Sequence, residues 1–415
     1  MSTEGEVLVD RAAAEDRRGR AFYKRAAALL AIWAAVVLAI ALSMAPDAYW
    51  YSYYAVDYSL GWIRRGLAGE IHGLFPDEHY FVGLAVLRWV PTLLFTAGLA
   101  VTARAILRSG RSERRMLLAL LLPVLPFGFT YAVFSARTDL IGDAALAVLA
   151  VTLMAVTTAR ATLAASAAFG VLVAVLALIH EATPLLVGLG VAAALAVLAV
   201  PLTARMYRWC LAAALGPGLL VAALASLFGR RDVADVFCER IPHGPVNFPT
   251  TVTQLLEGFR HYIDYHDWAC VAFLPMMDWD AGQAVREVFG LGIVPLTGST
   301  VYGIAVFVIA MLALTHVTGV PLRRFADALR PHRAAVLLGL AMFVPLFLTG
   351  MDWIRWWVTI GFNLGLVFAL YALRQPEIDG PVTARTRKVF AIGAILLGVL
   401  PVGIIPAFGI PVYEM

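Results

Sequence analysis

The sequence predicts an all-α polytopic membrane protein, a bundle of about 11 transmembrane helices, on three observations. Hydrophobic residues make up 61% of the 415 and charged residues only 14%, against about a quarter charged in soluble domains. Apolar runs long enough to cross a hydrocarbon core of about 30 Å recur along the chain. The 32 basic residues also sort into alternate connecting segments.

Taken in order, the apolar runs fall at 26–45, 80–103, 116–134, 140–158, 164–180, 183–202, 210–228, 291–316, 334–350, 357–373 and 389–410. The first follows a basic stretch (Arg17, Arg18, Arg20, Lys24, Arg25) and so resembles a signal peptide. It is too long for a signal's apolar region, and its small-x-small site, Ser43-Met44-Ala45, is followed by Pro46, so a retained span is expected. Only "HEAT" separates the fifth run from the sixth. No internal repeat of the kind found in many transporters is visible. The expected organisation is a tail (1–25), a module of about seven spans (26–228) carrying a first outer loop (46–79), an outer loop (229–290), and a module of about four spans (291–415).

Orientation follows from charge. With the N-terminus in the cytoplasm, the inner segments hold 22 of the 32 basic residues and nine of the 28 acidic ones, giving near +13 inside and −9 outside. That is the positive-inside pattern, with the C-terminus outside. Lysine occurs only at Lys24 and Lys388, a bias expected of high-GC bacterial coding, so the expected location is a bacterial cytoplasmic membrane.

The large loop carries three further expectations. Thr251 is expected to cap a helix over "TVTQLLEGFRHYI", with Leu255, Phe259 and Tyr262 on one face. The segment "DWACVAFLPMMDWD" is too short and interrupted to span, and its Trp, Phe and Met residues suit a lipid interface. Cys238 and Cys270 both lie in this outer loop, where disulfides persist, and are expected to pair. Cys210 lies inside a span and is expected to be packing.

The polar residues gather on the outer side. "DYSLGWIRRGLAGE" (Asp57, Arg64, Arg65, Glu70) lies in the first outer loop, "SARTDLIGD" (Arg137, Asp139, Asp143) in the second, "IHEAT" (His180, Glu181) in the third and "GMDWIRWW" (Asp352, Trp353, Arg355) in the last. Arg88 lies about two turns inside the second span. Intramembrane ionisable groups cost roughly 2.5–3.5 kcal/mol each, so they pair or face a cavity. One polar cavity opening outward is therefore expected. Arg88 could also snorkel outward, the tryptophans could be interface anchors, and Asp77-Glu78 reads as a solvated helix start.

Guanidinium forks bind phosphate bidentately and stay charged, and a carboxylate or histidine beside them takes a proton from an attacking hydroxyl. With no ATP motif, an outer-face cavity and first-loop acids (Asp47, Asp57, Glu70), the chain resembles the GT-C class of membrane glycosyltransferases in layout. The resemblance implies a polyprenyl-phosphate-linked sugar as donor, a glycan or lipid acceptor, and a catalytic acid in the first outer loop. Asp57 leads as base, with Glu70, His180 and Glu181 as further catalytic candidates. Arg64, Arg65, Arg137 and Arg355 are expected to hold the donor phosphate, supported by Asp139, Asp143, Asp352, Trp353 and Arg88. No cofactor or metal is expected to be required, although His180 and Glu181 with Asp139 or Asp143 could ligate a divalent cation. The expected partners are these substrates and the lipid bilayer, with no nucleic acid. Three alternatives stand beside this reading: a ligase or polymerase of the O-antigen type using His180 with Arg64, Arg137 and Arg355; a transporter or flippase; and a non-catalytic subunit of an envelope complex.

Overall fold

The computed structural model describes residues 3–43, 48–110, 112–247 and 262–399. Among them, eight helical segments are long and apolar enough to cross a membrane. They lie within or coincide with α1 (Thr3–Ser43), α2 (Asp77–Arg108), α3 (Glu113–Ser135), α5 (Ala159–Ile179), α7 (Ala204–Phe228), α8 (Ile293–Thr318), α9 (Leu322–Thr349) and α10 (Trp353–Ala372). Two shorter helices, α4 (Asp139–Ala155) and α6 (Thr183–Val197), complete the order, with α11 (Ala384–Val399) last. Each of the eleven apolar runs thus contributes a helix, although the end of the last run, 400–410, lies outside the described residues.

Short polar residues start several of these helices by accepting an otherwise orphaned amide. Thr158 accepts from the Ala161 amide at 3.1 Å and Thr203 from the Met206 amide at 3.2 Å. Small residues then set how closely helices approach. A Cβ on Gly170 of α5 would fall 1.9 Å from the Ala213 carbonyl oxygen of α7. At the centre of the bundle 78% of the most apolar stretch of α10 is buried, whereas only 11% of that of α1 is, which places α1 at the edge. Asn363 of α10 pins α6 to it by accepting from the Gly190 amide at 2.6 Å and donating to the Leu186 carbonyl at 3.1 Å.

Contacts between connecting segments divide the bundle into two ends. At one end Arg64 donates to the carbonyls of Met276 (2.9 Å) and Met277 (2.7 Å), and Arg230 to that of Leu60 (2.9 Å). At the other, Ser112 donates to the Ile378 carbonyl (2.7 Å), Arg114 to that of Val317 (2.9 Å), and Arg387 pairs with Glu113 (2.9 Å). This division is the one that charge asymmetry predicts. A cavity of about 510 Å³ lies at the second end, lined by apolar groups such as Leu312, Val317 and Phe390 together with His316.

The large loop departs from expectation in two places. Residues 248–261, which hold most of the expected helix, lie outside the described residues. Its last residues are strand: Tyr262–Asp264 (β2) pairs antiparallel with Pro245–Asn247 (β1), in the register Pro245 to Asp264. The aromatic segment after it is not laid open to lipid. Tyr265, Trp268, Phe273, Leu274 and Met277 are buried against Trp50, Tyr51 and Tyr53 of the first loop, because the protein itself supplies the apolar surface they need. The Cys238–Cys270 disulfide is formed, with Cα atoms 5.2 Å apart, and Cys210 is buried and free.

Candidate functional site

The site begins in the first outer segment. A short helix, Gly66–His72, lies directly on the preceding chain, and its glycines allow the approach. A Cβ on Gly69 would stand 2.1 Å from the Val56 carbonyl oxygen, and one on Gly66 would stand 2.4 Å from the Tyr58 ring. Arg65 precedes this helix at φ 65°, a left-handed conformation that a non-glycine residue keeps only where its surroundings hold it. What holds it is Glu181, whose two carboxylate oxygens accept from Arg65 Nε at 2.9 Å and Nη2 at 3.0 Å.

Glu181 reaches Arg65 because the turn between α5 and α6 is so short. His180 closes α5 by donating its amide to the Leu176 carbonyl at 2.8 Å, and its own carbonyl accepts from the Thr183 amide at 3.0 Å. The His180 ring is buried and lies 5.2 Å from the Tyr53 ring. Tyr53 in turn lies under Arg65, whose guanidinium carbon is 5.5 Å from the ring centroid.

The second and last outer turns supply the rest. Arg137 pairs with Asp352. Arg355 donates to the Asp352 carboxylate at 2.8 Å through Nη2 and to Asp139 through Nη1. Asp143 follows one turn after Asp139 on the same helix face and is likewise buried. Arginines from three separate segments, Arg65, Arg137 and Arg355, thus meet Glu181, Asp352, Asp139 and Asp143 around Tyr53 and His180. The groups close on one another in ion pairs.

Charge within this cluster is balanced and held. Burial alone would raise the Glu181 carboxyl, but Arg65 and His180 outweigh it and hold it well below the usual carboxylate range. Asp352 is likewise pushed up by burial and pulled down further by Arg137 and Arg355, to about 2. Burial, with the Arg65 charge beside it, drives the His180 imidazole down to about 4, so it is neutral at pH 7. Several buried polar atoms still lack a hydrogen-bond partner: Nε of Arg137 and of Arg355, Asp139 Oδ1, both Asp143 oxygens and His180 Nδ1. Each such atom costs roughly 1–3 kcal/mol if left unmet.

Other expected site residues sit elsewhere. Asp57 accepts from the Ser59 amide at 2.8 Å, and Glu70 from the Tyr58 amide at 2.9 Å, so both carboxylates brace the loop. Arg64 donates through Nη2 to both the Met276 and Met277 carbonyls and ties the two outer loops together. Arg88 does not snorkel. It is 3% exposed, with its guanidinium 3.8 Å from the Trp50 ring and 4.3 Å from the Trp89 ring. Trp353 donates to the Gly350 carbonyl at 3.2 Å and packs on Phe347, as do Trp356 and Trp357. Asp47 lies outside the described residues. Tyr53 was not singled out by sequence, and neither was Tyr49, whose ring stands 5.4 Å from the Arg137 guanidinium. The available signal was the aromatic run "YWYSYY" just before Asp57.

A family model described as "Uncharacterised membrane protein Rv1490" matches residues 23–398. The chain is 38% identical over 408 residues to "Uncharacterized protein Rv1490" of Mycobacterium tuberculosis (strain ATCC 25618 / H37Rv), covering 96% of this chain and 94% of that protein. The same identity and coverage hold for "Uncharacterized protein Mb1527" of Mycobacterium bovis (strain ATCC BAA-935 / AF2122/97). No solved structure matches the chain.

Proposed function

We propose that this chain, which belongs to the Rv1490 family of membrane proteins, is a glycosyltransferase. It would move a sugar from a polyprenyl-phosphate donor to a cell-envelope glycan or lipid acceptor on the outer face of a bacterial cytoplasmic membrane. The observation that carries the reading is the buried cluster itself, with three arginines brought from three segments and donor atoms still unmet. Such atoms favour a polar ligand that completes them, and a phosphate matches a guanidinium fork. In the reaction, the acceptor hydroxyl attacks the anomeric carbon, the bond from that carbon to the phosphate oxygen breaks, and the polyprenyl phosphate departs. The hydroxyl proton passes to a carboxylate.

Asp352 is the carboxylate best placed for that proton. It is the most exposed of the three paired acids, at 22% against 17% for Glu181 and 2% for Asp139. Both arginine bonds to it use Oδ2 alone, whereas Glu181 has both oxygens engaged. This reading moves the base from Asp57, which braces its own loop, to the cluster. The test is transfer of a labelled sugar from a polyprenyl-phosphate donor by purified protein. Asp352→Asn is expected to lower turnover roughly 10²–10⁴-fold with the donor still bound, and Asp57→Asn to stay active. Loss of activity in Asp57→Asn with Asp352→Asn unaffected returns the base to the first loop.

A second reading has one observation in its favour. The neutral His180 leaves Nδ1 without a partner, which suits a histidine-dependent transferase using a diphosphate-linked donor. Turnover confined to a polyprenyl-diphosphate donor and abolished in His180→Ala selects it.

A further inference from the structure

Away from the arginine cluster, the large outer loop gathers four side chains of metal-ligating type. His243, Asp264, His266 and Asp267 place one ligand atom each within 4.8 Å of one another. The His243 and His266 rings stack with centroids 4.1 Å apart. Each ring turns Nδ1 to a carboxylate: His243 to Asp264 at 3.1 Å, and His266 to Asp267 at 3.1 Å. We propose that His243, Asp264, His266 and Asp267 form a binding site for a divalent transition-metal ion of the zinc class.

The local fold brings these residues together by two independent ties. Antiparallel pairing sets Pro245 opposite Asp264, so His243, two residues before the one, faces His266, two residues after the other. Behind them the Cys238–Cys270 disulfide joins the same two arms. The histidines therefore sit between a covalent clamp and a strand pair, and little ordering is left for a metal to impose. Tetrahedral zinc takes imidazole nitrogen and carboxylate oxygen at about 2.0–2.2 Å, which places its ligand atoms roughly 3.4 Å apart. The four atoms need to close by little more than an ångström to reach that arrangement. Two nitrogens and two oxygens suit zinc better than magnesium or calcium, which prefer all-oxygen shells.

The site's position gives a bound ion a route to the rest of the outer end. Trp268, directly after Asp267, lies against Tyr49 with centroids 5.0 Å apart, and the Tyr49 ring also stands 5.4 Å from the Arg137 guanidinium. A metal fixing the 264–268 turn would thereby fix the floor beneath Arg137.

The experiment uses tag-free, full-length protein in detergent, stripped with EDTA under non-reducing conditions, and titrated calorimetrically with zinc chloride in excess magnesium. One zinc ion per chain is expected for the wild type and for His79→Ala, which alters a histidine outside the site. Asp264→Asn keeps the turn's acceptor and removes the charge, and is expected to weaken binding about tenfold or more. His243→Ala with His266→Ala is expected to abolish it, while peptide mapping without reduction still finds Cys238 joined to Cys270. Stoichiometric zinc in the double variant, or no saturable binding by the wild type, overturns the proposal. Zinc binding that appears only after reduction also overturns it, because that assigns the ion to the freed cysteine thiolates.

Discussion

Arg64 and Arg65 are adjacent and identical, yet one braces two loops and the other enters the ion-pair cluster. Sequence revealed that the outer loops hold the polar residues. It could not reveal the pairing, because partners such as Arg65 and Glu181 stand 116 positions apart and Arg65 takes a left-handed turn that no local pattern demands. A first-loop acid was expected to be central, and the structure spends both Asp57 and Glu70 on backbone amides. His180 provides the test at this scale. Its folded pKa is depressed, to about 4, from the ordinary value of about 6.5. Between those values the unfolded chain binds a proton that the folded chain refuses, so stability falls as pH drops from about 6.5 to 4. His72, pushed down by burial despite its bond to the Tyr80 carbonyl, adds to the same fall. The depressed acids Glu181 and Asp352 act lower: the stability they give is present above about pH 4 and is lost as pH falls through their folded values. Thermal melts in detergent are therefore expected to be flat above pH 7, to decline towards pH 4 and to fall steeply below it. His180→Asn is expected to flatten the middle window, by up to roughly 3 kcal/mol, and curves identical to wild type there would refute the assignment.

Elements were more legible than residues where the signal was long. Some twenty apolar residues in a row leave the backbone little option in lipid but helix, so every expected run contributes helix, although residues 125–128 interrupt the third and the helices of the fourth and sixth end early, at Ala155 and Val197. The disulfide was legible from compartment and count. The β1–β2 pairing was not, since three-residue strands carry too little alternation to stand out, and "TVTQLLEGFRHYI" shows a helical period up to the point where Tyr262 joins the sheet. Nor was the helix Gly66–His72 legible as a plug that lies against the chain before it. Its glycines make that claim testable. Gly69→Ala places a methyl 2.1 Å from the Val56 carbonyl oxygen, where backbone and not a flexible tip must give way. A loss of about 1–3 kcal/mol is expected from such overpacking. Gly216→Ala in α7 meets nothing within 4 Å and should gain a few tenths to about 1 kcal/mol from helix propensity. Equal melting temperatures for the two variants would mean that the helix does not rest on residues 56–58.

For the molecule as a whole, sidedness governs the proposed chemistry, because lipid-linked donors are reached from the outer face while nucleotide-linked ones are confined to the cytoplasm. The described contacts sort the loops into two ends, and charge counting assigns the ends to two compartments. The more basic end carries Arg114, Arg115, Arg323, Arg324, Arg330 and Arg387, partly paired with Glu113, Asp327, Glu377 and Asp379. Such an excess of arginine resists translocation, whereas acidic residues weigh little on orientation. The opposite end, with the arginine cluster, is consistent with this, since the segments assigned inside hold 22 of the 32 basic residues. Single cysteines in a background with Cys210 replaced, and the disulfide left intact, report the outcome. Ser59 and Ala281 are exposed at the cluster end and Ala326 at the other. A membrane-impermeant maleimide applied to intact cells is expected to label Ser59→Cys and Ala281→Cys and to spare Ala326→Cys until the membrane is opened. Labelling of Ala326→Cys alone would place the cluster in the cytoplasm. There a soluble nucleotide sugar could serve as donor, and the polyprenyl-phosphate reading would fall even with the ion-pair geometry unchanged.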